Sequence, residues 1–303
     1  MHAHDADLMA AVRRAMGRST APSTITQEAF DSDEGHLKRL VRLQRGERAQ
    51  PGDLWDYTQD LRYTEIQRPL LTYLLPFCLQ AWQDDLRGTN GYGGFVEHFY
   101  PVLADRHVFD THLTLNQTAA VSEFMWQSIL QEMDDQRGLA YRGSNARPYR
   151  WIRALTTYGV LLPDIDRLWT AWWSVGTIGR AVASARYVSA LIYPKEANPV
   201  FAPWTRDGGG GPPCLWDFEG HLYSHRWLEP NIEFLRRTLN VPAVTGVLSR
   251  AIEALKGEPE HQVAARMLAE IPARTEMLAA RCTELPNLLA TTQEAGTLLE
   301  WSA

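Results

Sequence analysis

Cysteine is scarce in this chain. Its 303 residues hold only Cys78, Cys214 and Cys282, far apart in sequence. An odd, scattered set cannot make a fully paired disulfide framework, so the expected compartment is a reducing cytoplasm. Long hydrophobic runs are missing too. The most apolar stretch, 69–82, falls short of the ~20 residues a bilayer-spanning helix needs and contains Thr72, Tyr73 and Pro76. A buried helix is expected there, and no membrane partner. The opening MHAHDADLMAAVRRAM lacks the basic region, apolar core and cleavage site of an export signal. Positive charge is not in excess: 30 Lys and Arg against 36 Asp and Glu leave a net charge of −6. That balance argues against a general nucleic-acid surface, which would be basic.

Catalytic signatures are equally sparse. No GxSxG elbow, no GxxxxGK(S/T) loop, no HExxH pair and no GxGxxG between strand and helix occurs. Pro242, Pro259, Pro272 and Pro286 punctuate the C-terminal region at irregular intervals, which excludes a regular solenoid repeat. Whether the chain is an enzyme therefore stays open, and neither a cofactor nor a metal is implied.

What the chain has is helical periodicity. Hydrophobic residues at 45% and charged residues at 22% are the mixture of a folded globular protein. Residues 1–50 read as a mobile N-terminal arm with a short basic helix, because 17–35 is rich in Ser, Thr, Asp and Glu. In that helix Leu37, Leu40 and Val41 share a face, while Lys38, Arg39, Arg42, Arg45 and Arg48 face solvent. Residues 51–303 read as a single helical domain. Asp53 is expected to cap a helix carrying Leu54, Tyr57 and Leu61 on one stripe. Thr64 with Gln67, and Thr114 with Gln117, have the spacing of capping boxes. Pro76 is expected to kink or divide the helix it sits in. Val121, Phe124, Met125, Ile129 and Met133 recur at helical spacing up to about 136. Further helices are expected at 149–158, 164–174, 178–192, 231–239, 244–255, 260–270, 273–282 and 286–299. The fold class is mainly α, an irregular multi-helix bundle or array.

One segment interrupts it. Residues 198–228, NPVFAPWTRDGGGGPPCLWDFEGHLYSHRWL, concentrate Gly, Pro, Trp and His. Four glycines followed by Pro212 and Pro213 cannot lie inside a helix, where glycine costs about 1 and proline about 3 kcal/mol. A small β-hairpin is expected there, with 214–218 and 221–226 as strands around Asp217-Phe218-Glu219-Gly220. A tight Glu-Gly loop would put Cys214, Trp216, Phe218, His221, Tyr223 and His225 on one face. A bulged turn would put Asp217 beside His221 instead.

Three constellations could carry chemistry. Cys214, Asp217, Glu219, His221 and His225 are metal-ligand types, yet His221 and His225 on one strand stand about 13 Å apart, too far for one ion. His98, His107 and His112, with Glu97, Asp105 and Asp110, read as a solvated helix–helix connection. Gly208–Gly211 with Arg206 could cradle an anion through backbone N–H groups, but Pro212 and Pro213 remove two donors. Seven of the eleven tryptophans lie between Trp151 and Trp227. Trp169, Trp172 and Trp173 are expected in the core, and Trp204, Trp216 and Trp227 on an accessible surface.

The run APWTRDGGGGPPCLWDFEGHLY, residues 202–223, resembles the glycine turn and strand pair of the SUKH superfamily of toxin-immunity proteins. The rest of the chain is longer and more helical than that family's domain. The resemblance implies a protein that binds another protein. The expected function is accordingly non-catalytic protein binding, of an immunity or scaffold type, through Trp204, Arg206, Asp207, Trp216, His221, Tyr223, His225 and Trp227. The alternative is an enzyme or small-molecule binder with its pocket between the Trp-rich helices and the glycine loop.

Overall fold

A computed structural model describes residues 3–17, 20–30, 34–44, 47–88, 95–139, 147–193, 198, 200 and 225–291. Among these residues there are fourteen α-helices and no strand. The hairpin expected at 198–228 lies almost wholly outside them. Its described end, residues 225–228, is not strand but an irregular lead into the next helix. The chain groups into two compact units, 1–128 and 129–303.

The first unit contains α1 (Ala3–Met16), α2 (Gly35–Leu40), α3 (Pro51–Tyr63), α4 (Arg68–Leu86), α5 (Phe95–Asp105), α6 (Val108–Thr111) and most of α7 (Leu115–Asp134). The first of these is a packed helix. Met9, Val12 and Met16 recur one turn apart, are at most 3% exposed, and seat α1 on α4. Three apolar residues on one stripe suffice for this, although the segment as a whole is polar. In α2, Leu37 and Leu40 are buried while Lys38 and Arg39 face out. α4 is apolar nearly all round, and residues 70–79 are all buried. Pro76 sits inside it without ending it.

Local polar contacts fix the entries to these helices. Asp53 is not the cap of α3. That helix starts at Pro51, and Asp53 in its first turn accepts a forked pair from Arg39, with Nη2–Oδ1 at 2.7 Å and Nε–Oδ1 at 3.0 Å. The Thr64–Gln67 capping box does not form. Gln67 turns its amide to the preceding segment, accepting from the Thr26 N–H at 2.9 Å and donating to the Thr24 carbonyl at 2.7 Å. The Thr114–Gln117 box does form, with reciprocal bonds of 2.9 and 3.3 Å. Asp60 is buried and holds two earlier residues: His36 Nε2 lies 2.5 Å from one oxygen, and the Phe30 N–H donates to the other at 2.8 Å.

The second unit holds the end of α7 with α8 (Arg147–Leu161), α9 (Ile165–Trp173), α10 (Ile178–Ile192), α11 (Glu229–Thr238), α12 (Val241–Ala254), α13 (His261–Glu270) and α14 (Thr275–Leu289). α10 is its axis. Every residue from Ala181 to Ile192 is buried, and α9, α12, α13 and α14 all pack on it. Gly179 and a series of Ala and Ser residues let its neighbours approach. A Cβ at Gly179 would lie 2.1 Å from the carbonyl oxygen of Asp134. Beside that contact Arg180 forks onto the Asp134 carboxylate at 2.8 and 2.9 Å, and Thr177 caps α10 by accepting from the Arg180 N–H. The two helices expected at 273–282 and 286–299 are one through Leu289, with Pro286 inside it.

Candidate functional site

Most of the residues expected to form the site, Trp204, Arg206, Asp207, Trp216, His221 and Tyr223, lie outside the described residues, as do Cys214, Asp217 and Glu219. The structure describes what holds both ends of their segment. On the incoming side α10 ends at Ile192, and Tyr193, Asn198 and Val200 are buried. Asn198 donates from Nδ2 to the Ser189 hydroxyl at 3.3 Å and accepts from the Val200 N–H at 2.9 Å. Arg281 on α14 closes this end of α10 by donating to the Ala190 carbonyl at 2.8 Å and to the Tyr193 carbonyl. Its positive charge sits where the helix dipole favours it. Arg274 lies 4.7 Å from the centre of the Tyr193 ring. Burial, with the neighbouring Glu270 carboxylate, pushes the Tyr193 phenol up to about 12.

On the outgoing side the anchor is Trp227, at 1% exposure. An accessible role was expected for it, but its indole fills the space over Gly159. The backbone N–H of Trp227 donates to the Leu289 carbonyl at 2.9 Å, and that of Leu228 to the Gly159 carbonyl at 3.0 Å. Asn231 then completes the clamp. Fully buried, it donates to the carbonyls of Gly159 at 2.8 Å and Leu162 at 2.7 Å, and accepts from the Ile165 N–H at 3.2 Å. A helix–helix corner normally leaves such carbonyls to water, and here one amide satisfies both. His225 is half-buried and Arg226 is exposed. Asn198 and Asn231 went unnoticed in the sequence, where a single asparagine carries no periodic signal.

The same unit holds the aromatic cluster. Trp151, Trp169, Trp172, Trp173 and Tyr187 have ring centres 4.9–6.1 Å apart in successive contacts, and most pairs meet edge to face. None of the five is more than 7% exposed. Trp169, Trp172 and Trp173 are therefore core, in agreement with their spacing. Among the described residues the indole N–H groups of Trp151, Trp172 and Trp173 find no hydrogen-bond acceptor. Perpendicular ring pairs surround them with aromatic faces, a weaker substitute for a carbonyl.

Among the described residues no group of three or more His, Cys, Asp or Glu could hold a metal ion. His107 is exposed with a left-handed backbone, φ 47°. Burial, and then Arg106 and Arg68, lower the His112 imidazole below its usual range. Cys78 and Cys282 are free, buried thiols. Burial raises both, Cys282 to about 11, so neither is a reactive thiolate at neutral pH. No described helix is long and apolar enough to cross a membrane. The likeness of residues 202–223 to the SUKH hairpin gains no second support: no protein-family model, curated protein or solved structure matches this chain.

Proposed function

We propose that this chain is a non-catalytic protein-binding protein, of an immunity or scaffold type, acting in the cytoplasm through its 198–228 segment. The observation that carries the reading is the double anchorage of that segment. Asn198 and Val200 at one end, and Trp227 with Asn231 at the other, are buried in the same helical unit. A contact surface held at both ends spends less free energy on ordering when it binds. The residues between the anchors include Trp204, Arg206, Trp216 and Tyr223, types enriched at interface hot spots. Nothing among the described residues favours the rival reading of a ligand pocket beside the Trp-rich helices, since those indoles are closed off by one another and by the core.

The test is affinity capture from the producing cell with three baits: the wild-type chain, the double variant Trp204→Ala/Trp216→Ala, and Tyr63→Ala as a surface control. A protein retained by the first and third, and lost by the double variant at unchanged melting temperature, supports the reading. Equal capture by all three refutes it.

A further inference from the structure

Two arginines of the first unit stand beside one histidine. α5 ends at Asp105, and the chain turns into α6 through His107, whose backbone is left-handed. The Thr111 hydroxyl donates to the His107 carbonyl at 2.8 Å and steadies that corner. Arg106 donates to the carbonyls of Thr64 at 2.9 Å and Arg62 at 3.4 Å, which ties the corner to the short connection between α3 and α4. Arg68, the first residue of α4, and Arg106 both lie near enough to His112, just after α6, for their charges to act on its imidazole.

The group is positive and uncompensated. Arg68 is exposed, while Arg106 and His112 are half-buried. Among the described residues neither arginine has a carboxylate within 4 Å, and the His112 ring has no hydrogen-bond partner. Glu65 and Asp110 belong to the same two stretches and pair with neither. No acidic residue stands in the first turn of α4. Elsewhere the unit does pair its arginines, as in the 2.7 Å Arg39–Asp53 fork. The chain carries a net charge of −6, so composition does not explain a local surplus of positive charge.

Arg106 is also ordered in advance. Two of its five N–H groups go to the backbone carbonyls, which leaves three for a ligand. A side chain already fixed loses less freedom on binding. Guanidinium forks match the paired oxygens of an anion, and two unit charges match a dianion.

We infer that Arg68, Arg106 and His112 bind a terminal phosphate dianion, free or as the monoester of a small molecule, with the guanidiniums on its oxygens and the imidazole donating one hydrogen bond. A phosphodiester or a carboxylate carries a single charge and leaves one guanidinium unmatched. The same two arginines hold the His112 imidazole below its usual range, and a dianion between them offsets that repulsion and favours a third positive charge.

Isothermal titration of the full chain at about pH 7.5, where a phosphate monoester is a dianion, tests this with glycerol 3-phosphate, inorganic phosphate and dimethyl phosphate. The two dianions are expected to bind, and the monoanionic diester at least tenfold more weakly. Tighter binding of glycerol 3-phosphate than of inorganic phosphate identifies the monoester as the ligand, and the reverse identifies the free ion. Arg68→Gln and Arg106→Gln should each lower the affinity about tenfold, roughly the loss of one charge-assisted contact. Arg42→Gln, at an exposed arginine beyond α2, should leave it unchanged. The nuclear magnetic resonance signals of the His112 ring should shift on addition of either dianion. Should Arg106→Gln fail to fold, Arg68→Gln, whose side chain holds no other residue, decides together with the His112 signals. Three results would overturn the inference: dimethyl phosphate binding as tightly as the dianions, Arg42→Gln losing as much affinity as Arg68→Gln, or no binding of either dianion by the wild type.

Discussion

The indole of Trp227 lies flat on the bare Cα of Gly159, so close that a Cβ there would stand 2.4 Å from Cδ2 and 2.6 Å from Cε2. Neither residue can grow or move alone, because the backbone on both sides is tied by the Leu228–Gly159 and Asn231–Gly159 hydrogen bonds. Gly159→Ala is expected to destabilise the second unit by about 3 kcal/mol, the upper range for overpacking a filled core. Trp227→Ala alone should cost about 3–5 kcal/mol through the cavity it leaves. The double variant should be more stable than the sum of the two losses, since the added methyl then meets empty space. Urea unfolding of the four proteins measures this coupling, and strict additivity would show that the contact is not the cause.

The two Thr-x-x-Gln sequences give a paired prediction. Thr114→Ala breaks a formed capping box and is expected to cost about 1 kcal/mol. Thr64→Ala removes only a hydroxyl bond to the Asp60 carbonyl, 2.8 Å long, within the end of α3. Its cost should be a few tenths of a kcal/mol. Equal losses in chemical denaturation would mean that the reciprocal bonds of the first box contribute nothing.

That pair also marks how far the sequence can be read. Helix positions followed from apolar period: Val121, Phe124, Met125, Ile129 and Met133 are all at most 2% exposed, as their spacing requires. Helix boundaries depended on competition that no local pattern records. Pro69 in the first turn starts α4 after Gln67, and the Gln67 amide goes to Thr24 and Thr26 some forty residues earlier. Pro76 and Pro286 looked like breakers, yet the surrounding apolar residues keep their helices continuous. After α9 the chain turns at Val175-Gly176. The structure gives the left-handed conformation to Val175, φ 57°, whose side chain is buried at 8% exposure. Burial there offsets a backbone cost that a β-branched residue normally avoids. The candidate segment announced itself by composition, but its anchors did not. Trp227 looked like a surface aromatic and is core, because its role depends on a glycine 68 positions earlier.

A buried arginine supplies the third prediction. Arg186 on α10 donates to the carbonyls of Arg137 at 3.0 Å and Gly138 at 2.5 Å, and to the Gln136 side chain. The N–H of Gly138 in turn donates to Glu260 at 2.5 Å. Burial lowers the guanidinium to about 10, against an opposing pull from Glu260, so it stays charged at neutral pH. Arg186→Met keeps much of the volume but strips the 136–138 turn of its donors, and should cost about 3 kcal/mol. Arg186→Lys should cost less, because one ammonium can still reach one or two of the acceptors, though not with the planar fork. Thermal melts of the two variants test the order. A methionine variant as stable as wild type would show that water supplies the missing bonds.

Alkaline pH gives the last prediction, through Cys282. Burial raises its thiol from the ordinary value of 9.0 to about 11. Between those values the unfolded chain has released the proton and the folded chain still holds it. The unfolded state then binds fewer protons, so stability falls as pH rises through this window. Holding the thiol protonated up to about 11 corresponds to roughly 2–3 kcal/mol lost between pH 9 and 11. Cys78, whose thiol burial raises further, and Tyr193, whose phenol is pushed up to about 12, steepen the decline in the same direction. Cys282→Ala removes one titrating group and should flatten the fall in unfolding free energy between pH 9 and 11 by about its share, while costing little at pH 7. If the variant and the wild type lose stability in parallel across that range, ionisation of Cys282 is not what drives the alkaline transition.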